Sequence, residues 1–311
     1  MKKILVTGGA GFIGSNLVGR LIKDGYQVFV LDDLSSGHRS LVHPESIFFE
    51  GSVLDDSLLS RCFDLKPDYV VHMAALFANQ NSVDHPEIDL AVNGQGTLKI
   101  LEKSRSLGVE KILYVSSSCV YGNREIMDEG DETFLPDTPY AITKLLGEQY
   151  CRFWNSHHGL DVVIVRLFNT YGPGEHPGAY RNVIPNFVAL ALKNESLTIT
   201  GTGEETRDFT YVDDTVNGIC AALFSKTKPG DVFNIATGRK TRIIDIANII
   251  NMYVDNPAGV IFIPRRHWDN VFNRQASVEK SRLLLDFCAR KDLIAGIKST
   301  CDWISMFSGK Y

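Results

Sequence analysis

The sequence has few cysteines, no basic run and no long apolar segment, and each of these shortages excludes a class of protein. The six cysteines stand at least 13 residues apart in a chain of 311 residues. That spacing excludes CxxC metal knuckles and a dense disulfide framework. With a formal net charge of −5 and no basic run, the chain is a poor partner for nucleic acid or an anionic membrane.

The absence of long apolar runs also limits where the protein is found. No stretch of about 18 apolar residues occurs, and Gly8, Gly9 and Gly11 interrupt the apolar residues near the start of the sequence. A membrane span and a signal peptide are therefore not expected. We expect a cytoplasmic protein with reduced thiols and with neither a nucleic-acid nor a membrane partner.

The composition and the hydrophobic pattern are those of a globular α/β protein. Hydrophobic residues make up 44% of the chain and charged residues 22%, which excludes intrinsic disorder. Strands are predicted at Lys3–Thr7, Gln27–Asp32, Ile47–Glu50, Tyr69–His72, Lys111–Ser116 and Val162–Arg166, and helices at Phe12–Lys23, Asp56–Phe63, Ile88–Leu107 and Thr138–His157. Continuous apolar strands alternating with helices predict a doubly wound parallel sheet of the Rossmann type, covered on both faces.

The pattern changes after Phe168. Residues 169–182 are rich in glycine and proline, as functional loops are, and the remaining residues lose the regular alternation of strands and helices. We predict a cofactor-binding domain over residues 1–168 and a smaller C-terminal α/β substrate lobe over residues 169–311. The strand-like segment Val232–Ala236 indicates that residues near 211–240 return to the main sheet.

A glycine-rich turn follows the first predicted strand and opens the first helix. Gly8, Gly11 and Gly14 allow a tight turn, a close approach of a pyrophosphate and packing of the helix on the strand. Asp32 ends the second strand, 18 residues beyond Gly14, where a carboxylate accepts ribose hydroxyls. A glycine trio alone also fits an ordinary turn, but strand, turn, helix and acid together predict a dinucleotide. Because no arginine follows Asp32 directly, NAD is favoured over NADP.

A second motif predicts acid–base chemistry. Tyr140 and Lys144 stand four residues apart in a predicted helix, so their side chains lie on one face. A nearby ammonium group favours the phenolate and lowers the pKa of the tyrosine, which makes it a usable base. Ser116–Ser118 ends a strand at the carboxyl edge of the predicted sheet, where ligands bind. Each motif alone also fits an ordinary surface pair or a strand-end turn.

Together these motifs resemble those of the extended short-chain dehydrogenase/reductases, and within them the NAD-dependent nucleotide-sugar epimerases and dehydratases, particularly the UDP-glucose 4-epimerases. The resemblance extends over nearly the whole chain. Besides the glycine turn and the Tyr140…Lys144 pair, it rests on the segments Ser116–Gly122, Arg166–Asn169, Arg207–Asp214 and Arg265–Arg266.

The resemblance implies the function and the assembly. It implies an NAD-dependent isomerase that inverts C4 of UDP-glucose and UDP-galactose, or of their N-acetyl forms, through a transient 4-keto sugar and a returned hydride. It also implies a homodimer formed by the long helices, and no metal. A UDP-glucuronate epimerase, a nucleotide-sugar dehydratase or a net reductase of the same family stays open, as does a non-catalytic NAD-binding protein. The presence of both Tyr140 and Lys144 disfavours the last of these.

The resemblance also assigns site residues. The catalytic residues are Ser117, Tyr140 and Lys144. Tyr140 and Lys144 also contact NAD, together with Gly8, Gly11, Phe12, Ile13, Gly14, Asp32, Asp33, Leu34, Ser35, Ser36, Gly37, Ser52, Val53, Met73, Ala74, Ala75, Asn93 and Phe168. The nucleotide sugar is assigned to Ser117, Asn169, Asn182, Val183, Arg207, Arg266, Asp269 and Asn273.

Asn273 and its neighbour bear on the sugar. Asn273 stands four residues after Asp269, at the position that faces sugar C2 in the resembling epimerases. Its small side chain predicts room for an N-acetyl group, whereas the neighbouring Arg274 would suit the carboxylate of a uronic acid. If the segment is shifted by one residue, both side chains face solvent instead.

The chain departs from the family pattern at three places. Ser52-Val53 stands where an acid is usual, and Trp268-Asp269 replaces a common Gly-Asp. Ser118-Cys119 stands where the sugar dehydratases carry Asp-Glu and where nucleotide-sugar decarboxylases use a Glu at the second position. Without that acid–base pair, β-elimination of water lacks its proton donor and acceptor, which disfavours a dehydratase.

Overall fold

A parallel sheet forms the centre of the protein. The computed structural model describes residues 1–131, 133–269 and 271–307. Within them seven strands lie in the order β11-β6-β5-β4-β1-β2-β3, and every pairing is parallel. Their bounds are β1 Lys3–Thr7, β2 Gln27–Asp32, β3 Ile47–Glu50, β4 Tyr69–His72, β5 Lys111–Ser117, β6 Val162–Leu167 and β11 Val232–Ile235. This order confirms the predicted doubly wound sheet, whose direction of winding reverses between β1 and β4.

Helices cover both faces of this sheet. They are α1 Phe12–Lys23, α2 Asp56–Asp64, α3 Asn79–Asp84, α4 Pro86–Asp89, α5 Gly96–Ser106, α6 Pro139–His158, α7 Val183–Ala191, α8 Val212–Leu223, α9 Ile243–Val254, α10 Glu279–Leu285 and α11 Leu293–Ser305. Short 3₁₀ turns occur at Arg39–Leu41 and Ser118–Tyr121. No helix among the described residues is long and apolar enough to cross a membrane.

Alternation along the strands divides the apolar core into two layers. In β1, Ile4 and Val6 pack into a cluster with α1 and α8, whereas Leu5 packs into a second cluster with α2, α5 and α6. Successive side chains of a strand point to opposite faces, so a sheet covered on both faces needs apolar residues at every position. The continuous apolar runs in the sequence have this cause.

The longest helix, α6, has clear start and stop signals. Pro139 occupies its first turn, and the backbone NH of Ala141 donates to Thr138 Oγ1 at 3.3 Å. Gly159 ends the helix with a φ of 66°, a conformation that glycine adopts without strain. These local signals explain why its predicted bounds differ from the observed ones by a single residue at each end.

One predicted helix is interrupted. The segment predicted as a continuous helix over Ile88–Leu107 consists of α4, a π-helical stretch at Leu90–Gln95, and α5. Asn93 lies in the π-helical stretch and directs its side chain to Leu76, Asp89 and Thr143. We attribute the interruption to these buried polar contacts, because π-helical turns are rare and are often associated with functional sites.

The residues after β6 form a smaller lobe that crosses back to the main sheet. Short strands pair as β7 Asn169–Tyr171 with β10 Phe209–Tyr211, β9 Thr206–Arg207 with β12 Thr241–Arg242, and β8 Leu197–Thr200 with β13 Val260–Ile263. Between them α8 packs against α1 and β6, and β11 pairs with β6. Part of the chain after β6 therefore completes the main sheet and one of its helical layers.

Candidate active site

A cavity of about 460 Å³ opens at the carboxyl ends of β1, β2, β4, β5 and β6, beneath the C-terminal lobe. Its walls include the glycine turn, the end of β5, the first turns of α6 and several arginines of the lobe. In open α/β sheets, ligands bind at this edge, beside the point where the winding reverses. The volume lies within the usual range of about 300–1,000 Å³ for small-molecule sites.

The glycine turn is built for close backbone approach. A Cβ on Gly8, whose φ is 75°, would lie 2.8 Å from the backbone nitrogen of Ala74, and a Cβ on Gly14 would overlap the carbonyl oxygen of Gly8. Neither position accepts a side chain without a shift of the backbone. The turn therefore leaves the first NH groups of α1 accessible in the cavity, as a pyrophosphate requires.

Asp32 lies at the end of β2 and lines the same cavity. Its Oδ2 accepts a hydrogen bond from the Ala10 NH and its Oδ1 one from the Leu34 NH, each at 2.9 Å. Burial raises the pKa of Asp32, and the backbone hydrogen bonds oppose that rise. These contacts hold the carboxylate beside the turn, where the residues fit the ribose and pyrophosphate of a dinucleotide.

The loop after β4 is held from behind by a buried polar network. Thr7 Oγ1 accepts hydrogen bonds from the NH groups of Met73 and Ala74, both at 3.2 Å, and lies 2.7 Å from His72 Nδ1. Burial, together with the positive charge of Lys144, lowers the pKa of His72 to about 3. The imidazole is therefore neutral, and it supports the loop through its contact with Thr7.

Ser117, Tyr140 and Lys144 meet in the cavity, although they come from different elements. Ser117 ends β5, while Tyr140 and Lys144 lie in the first turns of α6. Lys144 Nζ donates to the carbonyl oxygen of Val115 at 2.9 Å and lies 5.8 Å from the centre of the Tyr140 ring. Burial lowers the pKa of Lys144 to about 8.

The expectation of a lowered pKa at Tyr140 is wrong for this arrangement. Burial raises the pKa of Tyr140, Cys119 adds to the rise, and a hydrogen bond with Ser117 and the charge of Arg274 oppose it. Lys144 hydrogen-bonds the backbone rather than the phenol, so its charge does not outweigh the desolvation of a buried ring.

Most of the predicted site residues line the cavity. They include Phe12, Ile13, Asp33, Ser35, Ser36, Gly37, Val53, Met73, Ala74, Ala75, Phe168, Asn169, Asn182, Arg207, Arg266 and Asp269. Asn182 Nδ2 donates to Glu175 Oε1 at 2.9 Å, and burial raises the pKa of Glu175 to about 7. Arg207 donates to the carbonyl oxygens of Val271 and Phe272 at 3.1 and 3.2 Å. These contacts connect the lobe to the rim of the cavity.

Five predicted site residues do not line the cavity: Leu34, Ser52, Asn93, Val183 and Asn273. Leu34 contributes its NH to Asp32, and the Ser52 hydroxyl accepts from the Leu54 NH. Asn93 supports the loop after β4 by accepting from the Leu76 NH at 2.8 Å. Val183 packs against the apolar core at the start of α7.

The position of the Asn273 side chain differs from the prediction, and this difference bears most directly on the substrate. Its Oδ1 accepts a hydrogen bond from Thr206 Oγ1 at 2.8 Å, so the side chain is engaged at β9 and does not line the cavity. The wall at this segment is formed by Arg274 instead. The small Asn273 side chain therefore gives no evidence for the predicted room for an N-acetyl group in the cavity.

Among the described residues, four charged residues of the cavity wall were not among the assigned site residues: Asp137, Glu175, Arg181 and Arg274. The sequence did indicate Arg274, because it stands next to the position that was predicted to face the sugar. The others lie in irregular segments, where side-chain direction follows from distant contacts rather than from a periodic pattern. Burial raises the pKa of Asp137, and the charge of Arg274 opposes that rise.

The comparisons with known proteins agree with this geometry. Residues 4–236 match the model of the NAD dependent epimerase/dehydratase family. A putative UDP-glucose 4-epimerase of Methanocaldococcus jannaschii is 33% identical over 303 residues, which cover 97% of this chain and 98% of that protein.

Two solved structures are similar over nearly the whole chain. Epimerase Mth375 of Methanothermobacter thermautotrophicus is 44% identical with a TM-score of 0.95, covering 98% of this chain and 93% of that one. WbmF of Bordetella bronchiseptica, solved in complex with NAD+ and UDP, is 37% identical with a TM-score of 0.86, covering 99% and 93%.

Proposed function

Because the chain belongs to the NAD dependent epimerase/dehydratase family, we propose that it is a UDP-hexose 4-epimerase. The reaction inverts the hydroxyl at C4 of the hexose, in UDP-glucose and UDP-galactose, in their N-acetyl forms or in their uronates, with no net oxidation. NAD is the cofactor of this family. The glycine turn, Asp32 and the loop after β4 form the cradle that would hold it.

The observation that carries this proposal is the convergence of Ser117, Tyr140 and Lys144 in the same cavity as the cradle. The two positions after Ser117 carry Ser118 and Cys119, both in the cavity wall, and neither is a carboxylic acid. In the resembling dehydratases an acidic pair at these positions moves the protons of water elimination. A site with the oxidation residues but without that pair supports epimerisation.

The chemistry divides between cofactor and protein. A bound NAD would supply the hydride chemistry at C4 of the sugar, with no net change in its oxidation state. Tyr140 removes the proton of the 4-hydroxyl and gives a proton back when the alcohol forms again. Ser117 hydrogen-bonds the same oxygen. Burial opposes ionisation of Tyr140, whereas the hydrogen bond with Ser117 and the positive charge of Arg274 favour the phenolate.

The lobe would bind the nucleotide diphosphate. Arg207 and Arg266 lie in the cavity wall contributed by the lobe, and Asn182 and Asp269 line the same cavity. Guanidinium groups suit phosphate oxygens through charge-assisted hydrogen bonds. The hydrogen bonds from Arg207 to the carbonyl oxygens of Val271 and Phe272 hold this guanidinium in place before a ligand binds.

We also propose a homodimer formed by α5 and α6. A groove on these helices is lined by apolar and aromatic residues that include Leu98, Leu146, Tyr150 and Phe153. Phe153 is 45% exposed, and pairing of two copies would remove this surface from water. Light scattering should give twice the mass of one chain, and an Arg substitution at Phe153 should give monomers.

The proposed activity is tested by identifying the product. The purified protein is incubated with UDP-glucose, UDP-N-acetylglucosamine and UDP-glucuronate in separate reactions, and proton NMR reports the configuration at C4. We expect a mixture of the two C4 epimers from at least one substrate, without net formation of NADH. A 4-keto-6-deoxy product or loss of carbon dioxide would instead indicate a dehydratase or a decarboxylase.

A further inference from the structure

Arg274 is a buried cation in the cavity wall with unused hydrogen-bonding capacity. Its exposed fraction is 7%. Its Nη1 donates to Cys119 Sγ at 3.3 Å and to Ser118 Oγ at 3.5 Å, both weak contacts with groups other than carboxylates. Its Nε is buried and has no hydrogen-bond partner among the described residues.

Arg274 also lacks a partner of opposite charge. None of the ion pairs between described residues includes it. Asp137 faces the same cavity and interacts with Arg274 at longer range. Burying a charge without a paired anion is strongly unfavourable. The protein tolerates that cost where a ligand supplies the anion.

The position of Arg274 indicates which part of the ligand it meets. Ser118 and Cys119, which its guanidinium contacts, directly follow Ser117 at the carboxyl end of β5. This is the end of the cavity where the sugar would react with Tyr140. The diphosphate already has Arg207 and Arg266 in the proposed function, and a neutral hexose offers no anion at the reacting end.

We propose that Arg274 binds a carboxylate carried by the hexose, so that the substrate class is a carboxylated UDP-hexose. This inference rests on the proposed function, because it names the substrate of the same site. The unpartnered Nε lies on the same edge of the guanidinium as Nη2, and these two groups give the donors for a charge-assisted pair with a planar carboxylate. A carboxylate on C6, as in a hexuronate, and one on an ether substituent of the ring share this chemistry.

The test distinguishes the contribution of the carboxylate to the binding affinity from that of the rest of the ligand. Calorimetric titration of the NAD-loaded protein measures the affinity for UDP, UDP-glucose, UDP-glucuronate and UDP-N-acetylmuramate, which carries its carboxylate on an ether at C3. We expect one of the two carboxylated ligands to bind more tightly than UDP-glucose. The ligand that does so shows whether the carboxylate is carried on C6 or on an ether substituent of the ring. In Arg274→Gln its affinity should fall about 10- to 100-fold, the value of one hydrogen-bonded charge, while that of UDP stays unchanged.

A second variant tests the same site without removing the arginine. Cys119→Glu places a carboxylate against the guanidinium, at a position that Arg274 Nη1 already contacts. We expect it to weaken the carboxylated ligand selectively, as Arg274→Gln does, because the internal carboxylate competes for the cation. Arg266→Gln is the contrast, and it should weaken UDP, UDP-glucose and the carboxylated ligand to a similar degree.

The possible outcomes separate this inference from the proposed function. Equal affinities of the wild-type protein for UDP-glucose and both carboxylated ligands would overturn the carboxylate site. So would an Arg274→Gln variant that loses UDP as strongly as the carboxylated ligand, since Arg274 would then bind the diphosphate. Selective binding of a carboxylated ligand without C4 epimerisation of any UDP-hexose would keep the carboxylate site and refute the epimerase.

Discussion

At the scale of single residues, Tyr140 combines burial with a chemical role that needs its charged form. Burial raises its pKa, so the phenolate depends on the cations around it. Tyr140→Phe removes the hydroxyl and leaves the shape of the cradle unchanged. We expect NAD to stay bound while turnover falls by about two to four orders of magnitude, the usual contribution of a positioned acid or base. Single-turnover kinetics and the NAD content of the purified variant check this, and near-normal turnover would contradict the proposed base.

The second prediction at the scale of single residues concerns His72 and the pH dependence of stability. Its pKa is lowered to about 3 in the folded protein, first by burial and then by Lys144, against about 6.5 in an unfolded chain. Above pH 6.5 the imidazole is neutral in both states. Below it the unfolded chain takes up a proton that the folded protein refuses, so stability falls as the pH falls towards 3.

The comparison with His72→Gln isolates this effect. Urea unfolding at pH 7.5, 6.5 and 5.5 gives the free energy of unfolding of both proteins. The free energy of unfolding of the wild type minus that of the variant should be constant above pH 6.5. Below pH 6.5 this difference should decrease by about 1.4 kcal/mol per pH unit. Parallel pH profiles for the two proteins would contradict the neutral buried imidazole.

At the scale of elements, the fit of α6 against β5 sets the positions of Tyr140 and Lys144. A Cβ on Gly147 would overlap Tyr114 Oη, and Tyr114 is fully buried in β5. We expect Gly147→Ala to lower the free energy of unfolding by about 1–3 kcal/mol, the cost of overpacking, and to lower turnover by displacing the helix. Thermal unfolding and turnover measure the two effects.

Gly19→Ala in α1 is the matched control. Its Cβ would meet only His43 Cδ2, at 3.9 Å, so the substitution adds helix propensity without a clash. We expect it to raise the free energy of unfolding by up to about 1 kcal/mol and to leave turnover unchanged. Equal effects of the two substitutions would show that the contact with Tyr114 does not decide the position of α6.

At the scale of the whole molecule, the chain crosses between sheet and lobe more than once. The β11 strand supplies the hydrogen-bonded neighbour of β6, and α8 covers α1 and β6. A fragment of residues 1–168 lacks both elements and exposes one edge and part of one face of the sheet. We expect this fragment to be unfolded or aggregated by circular dichroism and light scattering, whereas the full chain is folded in the same measurements. A folded, monomeric fragment would contradict this coupling.

Much of the fold could be predicted because the relevant signals are local. The strands β1 to β6 and the helices α1 and α6 follow from apolar runs, amphipathic periodicity and caps such as Thr138 and Gly159. The glycine turn and the Tyr140…Lys144 pair are likewise short motifs, so they were found without coordinates. The interrupted helix at Leu90–Gln95 could not be predicted, because the partners of Asn93 lie as far along the chain as Thr143.

The sequence by itself determined the doubly wound sheet, the cradle for a dinucleotide and the identity of the proposed catalytic residues. Only the tertiary structure decided that Arg274 rather than Asn273 forms the cavity wall, and that the pKa of Tyr140 is raised rather than lowered. The physical reason is the range of the interactions. Periodicity and turn chemistry depend on a few neighbouring residues, whereas burial and charge at one atom depend on every element packed around it.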